Sequence, residues 1–125
     1  LPGVPTPVNG RLGRHALGNG AGIPPVLLDD AQTLEDALTY ACTDSGATVL
    51  NVARHRFEPQ GVTVLILLAE SHASIHTWPE HGACAVDVFT CGDVSPERIL
   101  GHVRHVLGGR WVVEVWDRIV PGTDP

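Results

Sequence analysis

The residues of this 125-residue chain that could do chemistry lie close together. They occupy the stretch Glu70-Ser71-His72-Ala73-Ser74-Ile75-His76-Thr77-Trp78-Pro79-Glu80 and, past a short apolar run, Cys91. His76 follows Ser71 by five residues and Cys91 follows it by twenty, so a hydroxyl, an imidazole and a thiol share about two strands' worth of sequence. Imidazole is close to half-charged near neutral pH and can take up a proton, and a thiol proton is transferable in the same range. Taken singly, each residue has a plainer interpretation. Ser71, after a glutamate at the end of an apolar run, reads as a polar residue entering a turn. Cys91, ahead of Gly92-Asp93, reads as a small buried hydrophobe. No Gly-x-Ser-x-Gly elbow surrounds Ser71, which argues against a hydrolase nucleophile. His72, His76 and His81 invite a metal, but position 81 leaves the face that 72 and 76 share on an extended chain. Neither Cys-x-x-Cys nor His-Glu-x-x-His occurs, so no metal site is expected.

Periodicity gives the elements that must position these residues. Leu34, Ala37, Leu38, Ala41 and Cys42 recur at helical spacing, and a helix is expected from near Asp30 to Ser45. Thr33 and Asp36 stand at capping-box spacing, and Gly46 supplies the stop. Residues 48–57 alternate and are rich in β-branched types, a strand; residues 62–68 form a second, apolar on both faces and therefore expected at the centre of its sheet. Residues 84–89 form a third, with Cys84, Val86 and Val88 on one face. Ser95-Pro96-Glu97 opens a helix with the stripe Ile99, Leu100, Val103, Val106 and Leu107, ended by Gly108-Gly109. Residues 111–119 form the last strand. Two helices against roughly four strands give an α+β fold, a two-layer α/β sandwich with a mainly antiparallel sheet and helices on one face. Residues 1–27, rich in Gly and Pro, are expected to be an extended arm ahead of a single domain over 28–125.

Composition narrows the function classes. A hydrophobic content of 43% with 18% charged residues describes an ordinary globular protein. The net charge of −6 and the lack of a Lys/Arg run argue against nucleic acid as a partner. The longest apolar stretch, residues 62–69, has a strand's length, so no membrane association is expected. No basic segment followed by an apolar one marks a signal peptide. Three cysteines in no disulfide-scaffold spacing read as reduced thiols of a cytoplasmic protein. The sequence has no Met, and a few residues are expected to precede Leu1.

Glu70-Ser71-His72, Ser74-Ile75-His76-Thr77-Trp78-Pro79-Glu80 and Ala85-Val86-Asp87-Val88-Phe89-Thr90-Cys91-Gly92 together resemble the signature of the prokaryotic S-adenosylmethionine decarboxylase proenzyme family nearly residue for residue. Looser matches at Gly13-Arg14-His15, Leu28-Asp29-Asp30, residues 45–49 and His55-Arg56-Phe57 extend the resemblance, which holds register over about residues 28–107. It implies autocatalytic cleavage between Glu70 and Ser71. The Ser71 hydroxyl attacks the Glu70 carbonyl to give an ester, β-elimination releases Glu70, and the dehydroalanine left at 71 hydrolyses to a pyruvoyl group and ammonia. His76 falls on the family's processing proton acceptor, Thr63 stands where a processing serine is usual, and Cys91 falls on the acid that returns a proton to the substrate α-carbon. Phe57 falls on the aromatic that stacks on adenine, and Glu80 on the substrate-binding acid. The resemblance thus implies a pyruvoyl-dependent decarboxylase of S-adenosylmethionine serving spermidine synthesis, with the covalent pyruvoyl group as electron sink. It also implies a homodimer of cleaved α/β protomers, each site drawing on both.

Two departures stand out. Thr63 keeps the hydroxyl of the usual serine and adds a methyl. After Gly13-Arg14-His15, where the family continues with an apolar strand, this chain has Gly18, Gly20, Gly22, Pro24 and Pro25, so that strand is expected to be shortened or lost. Such a change leaves two alternatives open: a pyruvoyl-dependent decarboxylase of ornithine or arginine, and a non-cleaving regulatory paralogue.

Overall fold

The computed structural model describes residues 10–123. In chain order its elements are β1 (Arg11–Ala21), a single helical turn α1 (Pro25–Leu28), α2 (Ala31–Asp44), β2 (Val49–Arg56), β3 (Val62–Leu68), β4 (Ser71–Trp78), β5 (Ala83–Thr90), α3 (Pro96–Leu107) and β6 (Arg110–Ile119). A 3-10 turn, Pro79–His81, lies between β4 and β5. The strands form one sheet in the order β2-β3-β4-β5-β1-β6, and every neighbouring pair is antiparallel. The expected two-layer α+β sandwich is what the chain forms, with six strands where four were expected.

The expected arm is the principal correction. Residues 1–9 of it lie outside the described residues, but 11–21 are a full strand, paired along its length with β5 on one side and β6 on the other. The glycines that argued against a strand are what let its neighbours close in. A Cβ at Gly13 would stand 2.6 Å from the Thr90 carbonyl oxygen and 2.8 Å from the Phe89 ring; one at Gly20 would stand 2.8 Å from the Trp111 indole. Glycine weakens an isolated strand by entropy, whereas here two flanking strands supply the hydrogen bonds and large side chains fill the space. Pro24 and Pro25 fall after the strand, where Pro25 opens α1. The domain therefore starts with β1 and not at residue 28.

The helices form largely as expected. Asp30, not Thr33, caps α2: its carboxylate accepts the Thr33 N–H at 3.0 Å, while Asp36 accepts from the Gln32 side chain. Leu34, Leu38, Ala41 and Cys42 are its buried stripe. Ser95 caps α3 through the Arg98 N–H, and Ile99, Leu100, Val103 and Leu107 are buried, whereas Val106 turns outward. Both helices lie on the sheet face carrying Val62, Val64, Ile66, Ala73, Ile75, Cys84, Val86 and Val88.

The opposite face has no helix over it among the described residues. Leu65 and Leu67, expected to be buried in a central strand, are 52% and 53% exposed there, with Trp116 at 57% and Val112 at 68%. β3 is interior to the sheet by its hydrogen bonds yet open on one side. β4 escaped the sequence analysis because its inward residues Ala73, Ile75 and Thr77 alternate with the polar His72, Ser74 and His76. Thr77 is nonetheless a core tie: its buried hydroxyl donates to the Leu28 carbonyl at 2.7 Å and accepts the Val62 N–H at 2.9 Å.

Candidate active site

Ala69 and Glu70 form the two-residue connection between β3 and β4, with Leu68 opposite Ser71. So tight a hairpin asks for positive φ, normally supplied by Gly or Asn. Here it falls on Ser71, at φ 142°. A side-chain-bearing residue held there costs about 1–3 kcal/mol and persists only when its surroundings impose it. The surroundings are specific. The Ala69 N–H donates to the Thr48 carbonyl at 2.9 Å, and the Glu70 carboxylate accepts the Thr48 N–H at 2.9 Å. The Glu70 carbonyl oxygen accepts from both the Cys91 N–H at 3.0 Å and the Cys91 thiol at 3.1 Å. Two donors converging on one carbonyl oxygen stabilise the negative charge that builds there when a nucleophile adds to the carbon. The Ser71 hydroxyl lies beside that carbonyl in sequence and 3.0 Å from His72 Nδ1.

A second group occupies the open face at the far end of β4. His76 Nδ1 hydrogen-bonds the hydroxyl of Thr63, its cross-strand neighbour on β3. The His76 ring packs edge-on against Trp78, 4.4 Å between centroids, and against Phe57, 5.6 Å away; Phe57 also meets His55 at 4.6 Å. Phe57 sits just past β2 in a turn closed by its own N–H to the Gly61 carbonyl at 2.8 Å. Asp29 ties that turn down by accepting the Gly61 N–H at 2.9 Å and the Arg56 guanidinium at 2.7 Å, which hold its carboxyl below the usual carboxylate range. Glu80 is exposed on the 3-10 turn next to Trp78.

The candidate residues therefore divide into two groups. Glu70, Ser71 and Cys91 converge at one end, with His72; Thr63, His76 and Phe57 converge at the other, with Glu80 nearby. Five residues of strand separate His76 from Ser71, roughly 16 Å at about 3.3 Å per residue. An imidazole does not span that distance. The three thiols divide as well. Burial pushes Cys42 up to about 12 and Cys84 up to about 11, so both stay protonated and enclosed, while Cys91 is half-buried at the junction. Sequence reasoning weighed His72 only as a metal ligand and passed over the pair His15–Asp87 on the open face, 3.2 Å apart. In the sequence, the one sign of the His72–Ser71 contact was adjacency.

Comparison with known proteins bears on this arrangement. The family described as S-adenosylmethionine decarboxylase matches residues 14–118. A Synechococcus protein named S-adenosylmethionine decarboxylase proenzyme is 60% identical over 81 residues, which cover 64% of this chain and 63% of that protein. A Prochlorococcus marinus protein of the same name is 50% identical over 100 residues, 79% of this chain and 80% of that one. The crystal structure of the adenosylmethionine decarboxylase from Aquifex aeolicus superposes with a TM-score of 0.83 at 35% identity, covering 88% of this chain and 92% of that one.

Proposed function

Since the chain belongs to the S-adenosylmethionine decarboxylase family, we propose that it is a proenzyme that cleaves itself between Glu70 and Ser71 and then decarboxylates S-adenosylmethionine. The observation that carries this reading is the treatment of a single peptide bond. Its carbonyl oxygen is gripped by two donors from Cys91, and the residue after it is a serine held at a φ that serine avoids. The doubt raised by the N-terminal glycines is removed by β1, which is whole, and with it the motive for an ornithine or arginine substrate.

In this reading the Ser71 hydroxyl oxygen adds to the Glu70 carbonyl carbon while the two Cys91 donors take up the charge on the carbonyl oxygen. The C–N bond breaks and an ester links Glu70 to the Ser71 side chain. Removal of the Ser71 α-proton expels the Glu70 carboxylate, and hydrolysis of the resulting dehydroalanine releases ammonia. These residues fit the pyruvoyl group that the resemblance implies, because its carbon skeleton is that of Ser71. Such a group supplies an electron sink for the loss of carbon dioxide from an amino acid. Cys91, freed from the Glu70 carbonyl by cleavage, stays at the new N-terminus to give a proton to the substrate α-carbon. Phe57 offers a ring face to the adenine and Glu80 a carboxylate to the ribose or a cationic group. The product then serves polyamine synthesis in the cytoplasm.

The distance between the two groups leads to a homodimer. One chain cannot bring its own His76 to its own Ser71, but a second copy laid against the open face can. That face exposes Leu65 and Leu67 on β3 and Val112 and Trp116 on β6, apolar side chains that a second copy laid on the face covers. Each site then takes Ser71 and Cys91 from one protomer and Thr63, His76, Phe57 and Glu80 from the other. Complementation tests both parts of the proposal. Ser71→Ala and His76→Ala chains should each release no carbon dioxide from S-adenosylmethionine, whereas the two co-expressed should regain it and leave ornithine and arginine untouched. Release from ornithine or arginine alone would overturn the substrate; no gain on co-expression would overturn the shared site.

A further inference from the structure

We infer that His72 is the base for the first step of self-cleavage, a role separate from that of His76; the inference rests on the proenzyme reading above. Along a regular strand successive side chains point to opposite faces, which would part Ser71 from His72. The positive φ at Ser71 breaks that alternation at the first residue of β4, and the serine hydroxyl comes to lie 3.0 Å from Nδ1 of the neighbouring ring. His72 is thus the imidazole within hydrogen-bond reach of the nucleophile in the same chain, while His76 is engaged by Thr63 at the other end of the strand. The ring is also placed from its far side. Phe89 is its cross-strand partner on β5, 5.9 Å between centroids, and Phe89 occupies space that exists because position 13 is glycine.

The step balances within the chain. With Nε2 carrying the ring proton, Nδ1 accepts the Ser71 hydroxyl proton as the oxygen–carbon bond to Glu70 forms. The imidazolium then returns that proton to the Ser71 nitrogen as the C–N bond breaks, leaving the ester, a free amine and neutral His72. Elimination needs a different proton, that on the Ser71 α-carbon, and so a differently placed base. Two histidines thereby divide two successive steps, His72 making the ester and His76 of the second copy consuming it.

The two steps are distinguishable because hydroxylamine splits esters and spares amides. His72→Asn, which keeps a hydrogen-bond acceptor beside the hydroxyl but cannot take its proton, should slow cleavage about 10²-fold or more. Its uncut chain should resist hydroxylamine. His76→Ala should instead collect a chain that hydroxylamine splits at 70/71. In His72→Ala, added imidazole should restore part of the rate, which a merely structural role for the ring would not allow. Cleavage of His72→Asn at the wild-type rate, or a hydroxylamine-labile ester accumulating in it, would overturn the inference while leaving the proenzyme reading intact. An uncut wild-type chain would overturn that reading itself.

Discussion

Ser71→Gly should leave the chain uncut and at the same time make it more stable than Ser71→Ala. Both substitutions remove the hydroxyl, so neither chain can form the ester, and cleavage should fall below detection in each. They differ in what they do to the backbone. Ala inherits the φ of 142° together with its cost, about 1–3 kcal/mol, whereas glycine adopts that conformation freely. Against this stands the extra chain entropy that glycine loses on folding, about 0.5–1 kcal/mol. The strain is the larger quantity, and the net gain for Gly over Ala should be about 1 kcal/mol, read as a higher urea midpoint at unchanged slope. Equal stability of the two variants would show that the junction stores nothing. Any cleavage in either would place the nucleophile elsewhere.

Cys91→Ala should separate self-cleavage from turnover. The thiol is one of two donors on the Glu70 carbonyl; the other is the Cys91 backbone N–H, which the substitution leaves in place. A full oxyanion donor is worth about 10²–10³-fold, and a thiol is a weak donor. Cleavage should therefore slow by well under 10²-fold and still reach completion. Turnover has no such reserve. Loss of the acid that protonates the substrate carbon should lower carbon dioxide release by the mature protein about 10²–10⁴-fold. Cys91→Ser sharpens the contrast: its hydroxyl donates a hydrogen bond at least as well, but holds its proton much more tightly than a thiol. It should cleave at close to the wild-type rate and turn over poorly. Equal losses in both steps would contradict the division of labour between side chain and backbone at this position.

The helices could be read from the sequence by their apolar periodicity and the caps Asp30, Ser95 and Gly108, and β2, β3, β5 and β6 by their β-branched and apolar runs. β1 could not. Its glycines signal irregularity in isolation, and the ring of Phe89 and the indole of Trp111 that explain them lie 76 residues beyond Gly13 and 91 beyond Gly20. β4 was hidden because His72, Ser74 and His76 on its open face are polar and interrupt any apolar run. The candidate site residues drew attention through their joint spacing. What spacing along a chain cannot convey is which of them meet: it made Ser71, His76 and Cys91 look like a single constellation. The strand geometry divides them, and that division is the reason for proposing a site shared between two copies. His72, weighed in the sequence only as a metal ligand, comes within reach of the serine hydroxyl because of the φ of Ser71.

Intact mass of the purified wild-type protein, 13.3 kDa before cleavage, tests the central claim most directly. The expected result is two fragments, one ending at Glu70 and one comprising residues 71–125, the second lighter by one ammonia than a seryl terminus would make it and closed to Edman degradation. A single uncut chain, or a 71–125 fragment that begins with an ordinary serine, would contradict the conversion of Ser71 into the cofactor.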